Sequence, residues 1–311
     1  FFESQPQEGG SGAAWDEWLK AHAENPELRV GARLVQSGIP PDRRALAWKA
    51  LTAQARSEIQ EFLGGIPYAE HVKEIGVAES PGRSKELLQW EKVIDQDLHR
   101  TFPGHTYVDT TEGKAALRRV LVAYANRNRD VGYCQSMNFI TASLLIVTRD
   151  EEDSFWSLAL MEERILKEYH SRHMLGCRTD CRYLMDLTKQ YLPKAFAVFE
   201  EKQVIPEVAF IHWFLCVFVN SLPFGTAMRI WDKLMADMKD STVHSKPLDV
   251  VFGTEGRIGI QFKKDVEPVT IGQLAEGGLA AKNHRVKPGL VVTKVNGRSV
   301  ASLSYNATMR F

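Results

Sequence analysis

The pattern of hydrophobic and polar positions predicts a chain that is helical over its first three quarters. Apolar residues recur at steps of three and four, as at Leu117, Val120, Leu121 and Tyr124, which is the spacing of one face of an α-helix. The strict alternation that marks a half-buried strand does not occur before about residue 240. We therefore expect an all-α domain, with helices over the run from Ala14, PPDRRALAWKALTA, residues 85–100, GKAALRRVLVAYANRN, QSMNFITASLLIV, DEEDSFWSLALMEERIL, CRYLMDLTKQYLPKAFAVFEEKQV and FGTAMRIWDKLMADM.

The most apolar stretch is VAFIHWFLCVFVNSL, residues 208–222. It is shorter than the roughly 20 residues that a membrane-spanning helix needs, and it contains His212 and Asn220. The pattern predicts a buried core helix instead.

The character of the sequence changes after residue 240. Residues 241–249 are polar and contain a proline, as linkers do. Short β-like runs separated by glycines follow, at residues 257–262, 267–274 and 289–297, where Val295-Asn296-Gly297 signals a turn. The predicted organisation is multidomain, with an N-terminal segment (1–29), an all-α domain (30–240), a linker (241–249) and a small β-rich (α+β) domain (250–311).

Composition and charge narrow the classes of function. The 311 residues include 39 Lys+Arg and 39 Asp+Glu, so the formal net charge is zero. The sequence therefore lacks the net positive charge that would indicate a nucleic-acid partner. No basic-then-apolar signal peptide begins at Phe1. We expect a cytoplasmic protein without a transmembrane segment.

The four cysteines predict reduced thiols rather than a disulfide framework, because two of them lie in apolar helical runs. A zinc site built from His170, His173, Cys177 and Cys181 stays open as an alternative. Their HxxH and CxxxC spacings are a weak signal, and no second cysteine pair completes the set. The prediction is that the chain holds no metal.

Two polar residues are candidates for chemistry because each stands at the end of a predicted helix. In VIDQDLHRTFP, Arg100 follows Asp97 by one turn, and Phe102-Pro103 is expected to stop the helix; in GYCQSMN, Gln135 lies at a turn before an apolar helix. An arginine fork suits phosphate oxygens, a glutamine amide both donates and accepts, and the two in one groove resemble the parts that stabilise phosphoryl transfer. The alternative is that Asp97 and Arg100 form a surface ion pair worth under about 1 kcal/mol and that Gln135 is a helix-cap residue.

Four ordered segments resemble the TBC domain, the GTPase-activating module for Rab-type small GTPases. The resemblance covers roughly residues 30–235, and the order and spacing of the motifs make it far more specific than one short match. The segments are SGIPPDRRALAWKAL, with Arg44 and Trp48 in the matching places; Ile94-x-x-Asp97-x-x-Arg100; GYCQSMNF; and YLMDLTKQYLP with WFLCVFVNSLP and RIWDKL.

The resemblance implies a role for each residue that matches a motif. Arg100 is the arginine finger placed in trans on the GTP phosphates, and Gln135 is a second finger that orients the attacking water. Asp97 holds Arg100 in register. The same motifs carry other residues in supporting places: Ile94, Tyr133, Asn138, and the pair Arg44 and Trp48, for which a structural role between helices is implied.

The implied partner is a Rab-family GTPase, which brings its own GTP and Mg²⁺, so no cofactor is expected in this chain. We expect the chain to be cytoplasmic and to lie peripherally at endomembranes through its Rab partner. The alternative is a non-catalytic scaffold that binds a Rab and carries a peptide-binding module. An enzyme with its own substrate site is not indicated, since no nucleophile elbow or P-loop occurs.

Two departures from the family pattern carry expectations. Ser136 stands where the family usually has glycine after the glutamine, which restricts the backbone at that corner. The family continues after RIWDKL with further helices, whereas this sequence turns into the linker. An all-α domain without its last helices is expected to expose apolar surface on the helices of residues 208–235.

Residues 250–311 resemble a PDZ domain that is C-terminally incomplete. GRIGIQF is similar to the carboxylate-binding loop and second strand, with Ile258, Gly259, Ile260 and Phe262 along the peptide groove. Tyr305 falls where a groove-facing histidine is common. The resemblance implies a C-terminal peptide ligand that adds as a strand.

Overall fold

Helices fill most of the chain that the computed structural model describes, which is residues 12–62, 66–76, 85–171, 173–238, 260–262, 271–275, 279, 294–295 and 298–299. Two units are separable, Phe1–Thr242 and Val243–Phe311. The α-helices are α1 Gly12–Glu24, α2 Ala32–Gln36, α3 Arg44–Phe62, α4 Tyr68–Gly76, α5 Lys85–Leu98, α6 Thr111–Arg127, α7 Met137–Thr148, α8 Glu151–Leu160, α9 Leu175–Tyr191, α10 Pro193–Glu201, α11 Pro206–Leu215 and α12 Phe224–Asp237, and a π-helical turn, Met161–Ile165, follows α8. The prediction of an all-helical domain is confirmed.

Helices α6 and α7 lie at the centre of the first unit. Every α6 side chain from Val120 to Ala125 is at most 1% exposed, and α6 packs against α4, α5, α7 and α8. Helix α7 is apolar all round and buried, as such a helix must be. The two candidate corners of the sequence, at the end of α5 and the start of α7, therefore both adjoin this core.

Two helices begin with a side-chain cap. Thr110 caps α6 by accepting the Gly113 N–H at 2.9 Å, and Asp150 caps α8 by accepting the Asp153 N–H at 2.7 Å. The acids that open α8 lie at its positive end, as the sequence predicted.

The first helix packs within the helical unit. Trp15 of α1 is fully buried, and its indole N–H donates to the Gly38 carbonyl at 3.0 Å. Helix α1 also contacts α3. The N-terminal segment 1–29 thus contains a helix that belongs with the all-α domain.

Arg44, Trp48 and Asp232 form a buried clamp between α3 and α12. The Arg44 Nε donates to Asp232 Oδ1 at 2.9 Å, and the Trp48 Nε1 donates to the same oxygen at 2.8 Å. The Ile39 N–H donates to Asp232 Oδ2 at 3.2 Å, and Arg44 Nη2 donates to the Ile39 carbonyl at 2.8 Å. Burial raises the pKa of Asp232, against the opposing effect of Arg44. The clamp fixes the last described helix of the unit to the first long one.

The prediction of one buried helix over residues 208–222 is wrong. Helix α11 ends at Leu215, and Val217 and Phe218 take positive φ angles of 44° and 66°, which cannot continue a right-handed helix. Val208 is 74% exposed and Trp213 41% exposed, because α9 covers only one side of α11 among the described elements. Apolar exposure is thus found on α11, whereas α12 is largely buried on its apolar face.

The second unit contains two short antiparallel strand pairs among its described residues. Strand β1 (Ile260–Phe262) pairs with β2 (Ile271–Leu274), and β3 (Lys294–Val295) pairs with β4 (Arg298–Ser299). The pairing of Val295 with Arg298 agrees with the predicted turn at Asn296-Gly297. Strands this short do not define a sheet domain, so the described residues do not support a β-rich PDZ-like fold.

In the described part of the chain, no helix has both the length and the hydrophobicity needed to cross a membrane.

Candidate functional site

Arg100 lies in the turn that follows α5, where its side chain is held by the preceding helical turn. Its Nε donates to Asp97 Oδ1 at 2.8 Å, and its Nη2 lies 2.7 Å from the same oxygen. The Asp97 side chain is buried, whereas that of Arg100 is 47% exposed. Two guanidinium nitrogens are thus anchored to a buried carboxylate, while about half of the side chain stays exposed.

The Asp97 carboxylate also reaches the second corner. Its Oδ2 accepts the Tyr133 hydroxyl at 2.6 Å. Burial, followed by the bond to Asp97, raises the pKa of Tyr133, so the phenol stays protonated and donates. One buried carboxylate therefore joins Arg100 to the residue two positions before Gln135.

A second connection runs through Asn138. Its amide Nδ2 donates to Thr101 Oγ1 at 2.7 Å, and its Oδ1 accepts the Ser136 N–H at 3.1 Å. Thr101 in turn donates to the Asp97 carbonyl at 2.7 Å. Asn138 thus uses both halves of its amide to tie the residue after Arg100 to the residue after Gln135.

The corner before Gln135 requires glycine at one position. Gly132 has a φ of 62°, and a Cβ there would lie 2.2 Å from Cζ2 of Trp90. Only glycine takes this backbone without strain and leaves room for the indole. Trp90 belongs to α5, so this contact is a third link between the helix that carries Arg100's motif and the chain that leads to Gln135.

Gln135 is exposed and lies between two fixed residues, Tyr133 and Ser136. Ser136 has a φ of 100°, in the region that favours glycine. This agrees with the restriction expected from a serine in place of glycine. The buried Ser136 N–H bond to Asn138 helps to hold that backbone. Arg100 and Gln135 are thereby presented from corners that share one hydrogen-bond network.

The structure does not bring every predicted site residue to these corners. Ile94 is fully buried one turn before Asp97 and supports α5 from inside. Arg44 and Trp48 instead lie in the α3–α12 clamp, where both donate to Asp232. Their geometry is that of a structural pair.

Sequence reasoning missed several residues that make buried polar contacts. Thr101 belongs to the network, Asp232 belongs to the α3–α12 clamp, and Glu162 and His170 form a buried pair. None of these contacts was predicted from the sequence. His170 had been considered only as a zinc ligand. Both of its ring nitrogens face other partners, Glu162 Oε2 at 2.8 Å and the Leu215 carbonyl at 3.1 Å. Among the residues that the structure describes, no cluster of three or more His, Cys, Asp or Glu could hold a metal.

Most of the predicted peptide-groove residues lie outside the part of the chain that the structure describes. Ile258, Gly259 and Tyr305 lie outside the described residues. Ile260 and Phe262 lie in β1, where they pair with Leu274 and Ile271 of β2. A peptide groove is therefore neither shown nor located by these strands.

Comparison with known families identifies the helical unit. A model of the Rab-GTPase-TBC domain family matches residues 42–246. The chain belongs to this family. The matched range contains both candidate corners and ends before the described strands of the second unit, so it lends no support to the PDZ interpretation.

Individual relatives agree with this assignment. Growth hormone-regulated TBC protein 1 of Homo sapiens is 37% identical over 219 residues, which are 67% of this chain and 59% of that protein. TBC1 domain family member 2B of Xenopus tropicalis is 34% identical over 248 residues, or 75% of this chain and 24% of that protein. The chain thus spans less than two thirds of these relatives' lengths.

Solved structures show the same fold. The crystal structure of the Chlamydomonas flagellar RabGAP TBC domain superposes with a TM-score of 0.58 at 27% identity, covering 76% of this chain and 79% of that one. The Ypt/Rab-GAP domain of Gyp1p gives a TM-score of 0.54 at 20% identity, covering 73% and 81%. The second likeness concerns the fold alone.

Proposed function

We propose that this chain is a GTPase-activating protein for Rab-type small GTPases and that it supplies Arg100 and Gln135 in trans. Family membership supports the class of activity. The observation that carries the residue assignment is the Asp97 carboxylate, which bonds Arg100 with one oxygen and Tyr133 with the other. A shared anchor of this kind is what two groups need if they are to act together on one phosphate.

In the proposed reaction, Arg100 meets the negative charge that builds up on the phosphate oxygens in the transition state. A fixed cation in a closing interface stabilises that charge without reorganising, and an arginine finger contributes about 10³–10⁵ in rate. Asp97 holds the guanidinium in place before the partner arrives, which lowers the entropy lost on docking. The exposed N–H groups of Arg100 are the ones available to the phosphate.

Gln135 is proposed to orient the attacking water. Its carbonyl oxygen can accept a hydrogen bond from that water while its NH2 group donates one to a phosphate oxygen. The side chain is exposed, while its neighbours Tyr133 and Ser136 are buried and hydrogen-bonded. The Gln135 side chain is therefore accessible to a partner, while the backbone that carries it is held by its buried neighbours. GTP and Mg²⁺ would belong to the partner, and the chain itself would contribute no cofactor.

The experiment is a single-turnover assay of phosphate release from a panel of purified, GTP-loaded Rab proteins. We expect at least one Rab to be stimulated by a catalytic amount of this chain. The alternative, a non-catalytic Rab-binding scaffold, is favoured by the apolar exposure of α11, which can serve for binding alone. A Rab that binds the chain without faster hydrolysis would support the scaffold, and no response across the panel would count against activation.

Location is proposed from the partner. We infer that the chain acts in the cytoplasm and lies peripherally at endomembranes while bound to its Rab. Fractionation with and without GTP-locked Rab tests this, because membrane association should depend on the Rab.

A separate proposal concerns the second unit. We infer that residues 250–311 are a PDZ-like unit that binds a C-terminal peptide as an added strand. The support for this proposal is the resemblance of GRIGIQF to the carboxylate-binding loop and second strand of that family. Binding of a C-terminal peptide library, compared with the same peptides amidated at the C-terminus, tests the idea. Equal binding of both sets would reject it.

A further inference from the structure

A buried acid and histidine lie directly behind the Gln135 corner. Glu162, in the π-helical turn, accepts from His170 Nδ1 at 2.8 Å, and the two side chains are 1% and 0% exposed. A fully buried ionisable pair is costly to maintain unless its groups are paired and hydrogen-bonded. The activation mechanism proposed above does not use this pair.

The Ser136 hydroxyl connects this pair to Gln135. Ser136 Oγ lies 3.3 Å from His170 Nε2, and the same hydroxyl donates to the backbone carbonyl of Gln135. His170 Nε2 also faces the Leu215 carbonyl at 3.1 Å, at the end of α11. A continuous path therefore runs from a buried carboxylate, through an imidazole and a hydroxyl, to the peptide group of the candidate finger.

We propose that the Glu162–His170 pair positions Gln135 through the Ser136 hydroxyl, so that His170 is a positioning residue for GTPase activation. This inference rests on the proposed function of Gln135.

The path has two states that differ by one proton. When the imidazole is charged, Nδ1–H donates to Glu162 and Nε2–H donates to the Leu215 carbonyl, so the Ser136 hydroxyl donates to the Gln135 carbonyl. When the imidazole is neutral with its proton on Nδ1, Nε2 becomes an acceptor. The Ser136 hydroxyl then has a competing acceptor and turns toward it. In that state the Gln135 carbonyl loses the bond from the Ser136 hydroxyl and keeps the weaker one from Cys134 Sγ at 3.5 Å.

His170 is the group in this cluster whose ordinary pKa lies nearest to neutral pH. Burial is the largest single effect and lowers the pKa of His170. The charge and hydrogen bond of Glu162, together with the hydrogen bond to the Leu215 carbonyl, outweigh burial, so the net direction is upward from the ordinary value. The thiols and the phenol near the pair stay protonated. Burial, with Glu162 second, raises the pKa of Cys134 to about 11 and that of Tyr124 well above its ordinary value. Burial raises the pKa of Cys216 to about 11.

A purely structural role makes a different prediction. If the pair only pinned the chain around residue 170 to the end of α11, its titration would leave the Gln135 corner unchanged. The hydroxyl of Ser136 distinguishes the two roles, because its loss cuts the path to Gln135 while both His170 bonds to Glu162 and Leu215 remain.

The first test is a pH titration of the full 311-residue chain by nuclear magnetic resonance, following the His170 ring nitrogens and the Gln135 and Ser136 amides. We expect both amides to shift with the midpoint of the ring. That coupling should vanish in Ser136→Ala and in His170→Gln and persist in His173→Gln, which changes an exposed histidine nearby. Ser136→Ala keeps the test valid if His170→Gln fails to fold. The proposal would be overturned if the Gln135 and Ser136 amide shifts did not change as the His170 ring titrates. It would also be overturned if the amide shifts of residues 135 and 136 changed equally in Ser136→Ala.

The second test uses phosphate release from a GTP-loaded Rab that the chain stimulates. We expect kcat to fall about 10-fold as pH rises through the His170 midpoint, with little change in KM, because a displacement of only about 1 Å can cost about 100-fold. Ser136→Ala should flatten that step, whereas His173→Gln should retain it. A step of equal size in Ser136→Ala would overturn the proposal. If no Rab responds, the proposed function fails, while the resonance experiment still decides whether the path exists.

Discussion

Asp97 and Tyr133, 36 residues apart in sequence, are joined by a 2.6 Å hydrogen bond between a buried carboxylate and a buried phenol. The other oxygen of that carboxylate holds Arg100. The end of α5 and the approach to α7 are therefore tied together through one carboxylate. A disturbance at Tyr133 should reach Arg100 without any change to Arg100 itself.

Tyr133→Phe should weaken both stability and activation. It leaves Asp97 Oδ2 buried without that donor, which costs about 1–3 kcal/mol in the free energy of unfolding. Since the two corners lose one tie, we expect Rab-stimulated kcat to drop by about 10-fold. Urea unfolding and phosphate release measure the two effects. Tyr183→Phe, on an exposed tyrosine, is the control, and an unaltered kcat in Tyr133→Phe would show that the tie is dispensable.

Gly132→Ala should be strongly destabilising. The new methyl group would overlap the Trp90 ring in a backbone that disfavours side chains, and overpacking alone costs about 1–3 kcal/mol. Gly31→Ala is a matched control, because Gly31 has a φ of −71° and open space around its Cβ position. It should change stability by less than about 1 kcal/mol. Similar denaturation midpoints for the two variants would contradict the packing described here.

Asp232→Asn should destabilise the helical unit without altering Arg100 or Gln135. It leaves the buried Arg44 guanidinium without its carboxylate, for which about 3–5 kcal/mol is typical. Asp237→Asn, in an exposed pair with Lys233, should cost under about 1 kcal/mol. Chemical denaturation compares them. The folded Asp232→Asn protein should keep its activity per molecule, and a selective loss of activity would place the clamp in the site.

Stability should depend on the protonation of His170. Its pKa is raised in the folded protein, so the folded state binds that proton more tightly than the unfolded chain does. The resulting stabilisation is complete below the unfolded value of about 6.5 and is lost as pH rises through the folded pKa. Urea midpoints measured between those limits should fall with pH in the wild type. His170→Gln should lack that slope, and a slope that survives the substitution would assign it to another group.

Local periodicity was sufficient to predict most helices, because the core is built from helix faces whose spacing is visible in the sequence. The apolar helix after Gln135 is central and buried, as its lack of a polar face indicated. The same reasoning failed for residues 208–222. A run of apolar residues does not reveal that Val217 and Phe218 leave the helical region of φ, or that Val208 and Trp213 of α11 stay exposed.

The site was predictable in its motifs but not in its connections. Arg100, Asp97 and Gln135 were indicated by their places at predicted helix ends, and the resemblance added their roles. The local contact of Asp97 with Arg100 was among the expectations. The longer-range hydrogen bonds at the two corners join residues 34 to 37 positions apart, as in the pairs Ser136–His170 and Thr101–Asn138. No local pattern encodes such pairings, because they depend on how α5, α6 and α7 pack.

The central claim, that Arg100 and Gln135 act on the partner's GTP, is tested most directly by single-turnover phosphate release from a Rab that the wild-type chain stimulates. We expect Arg100→Ala to lower the stimulated rate by about 10³-fold or more, Gln135→Ala to lower it strongly, and Arg178→Ala, on an exposed arginine of α9, to leave it unchanged. Full stimulation by folded Arg100→Ala would contradict the account.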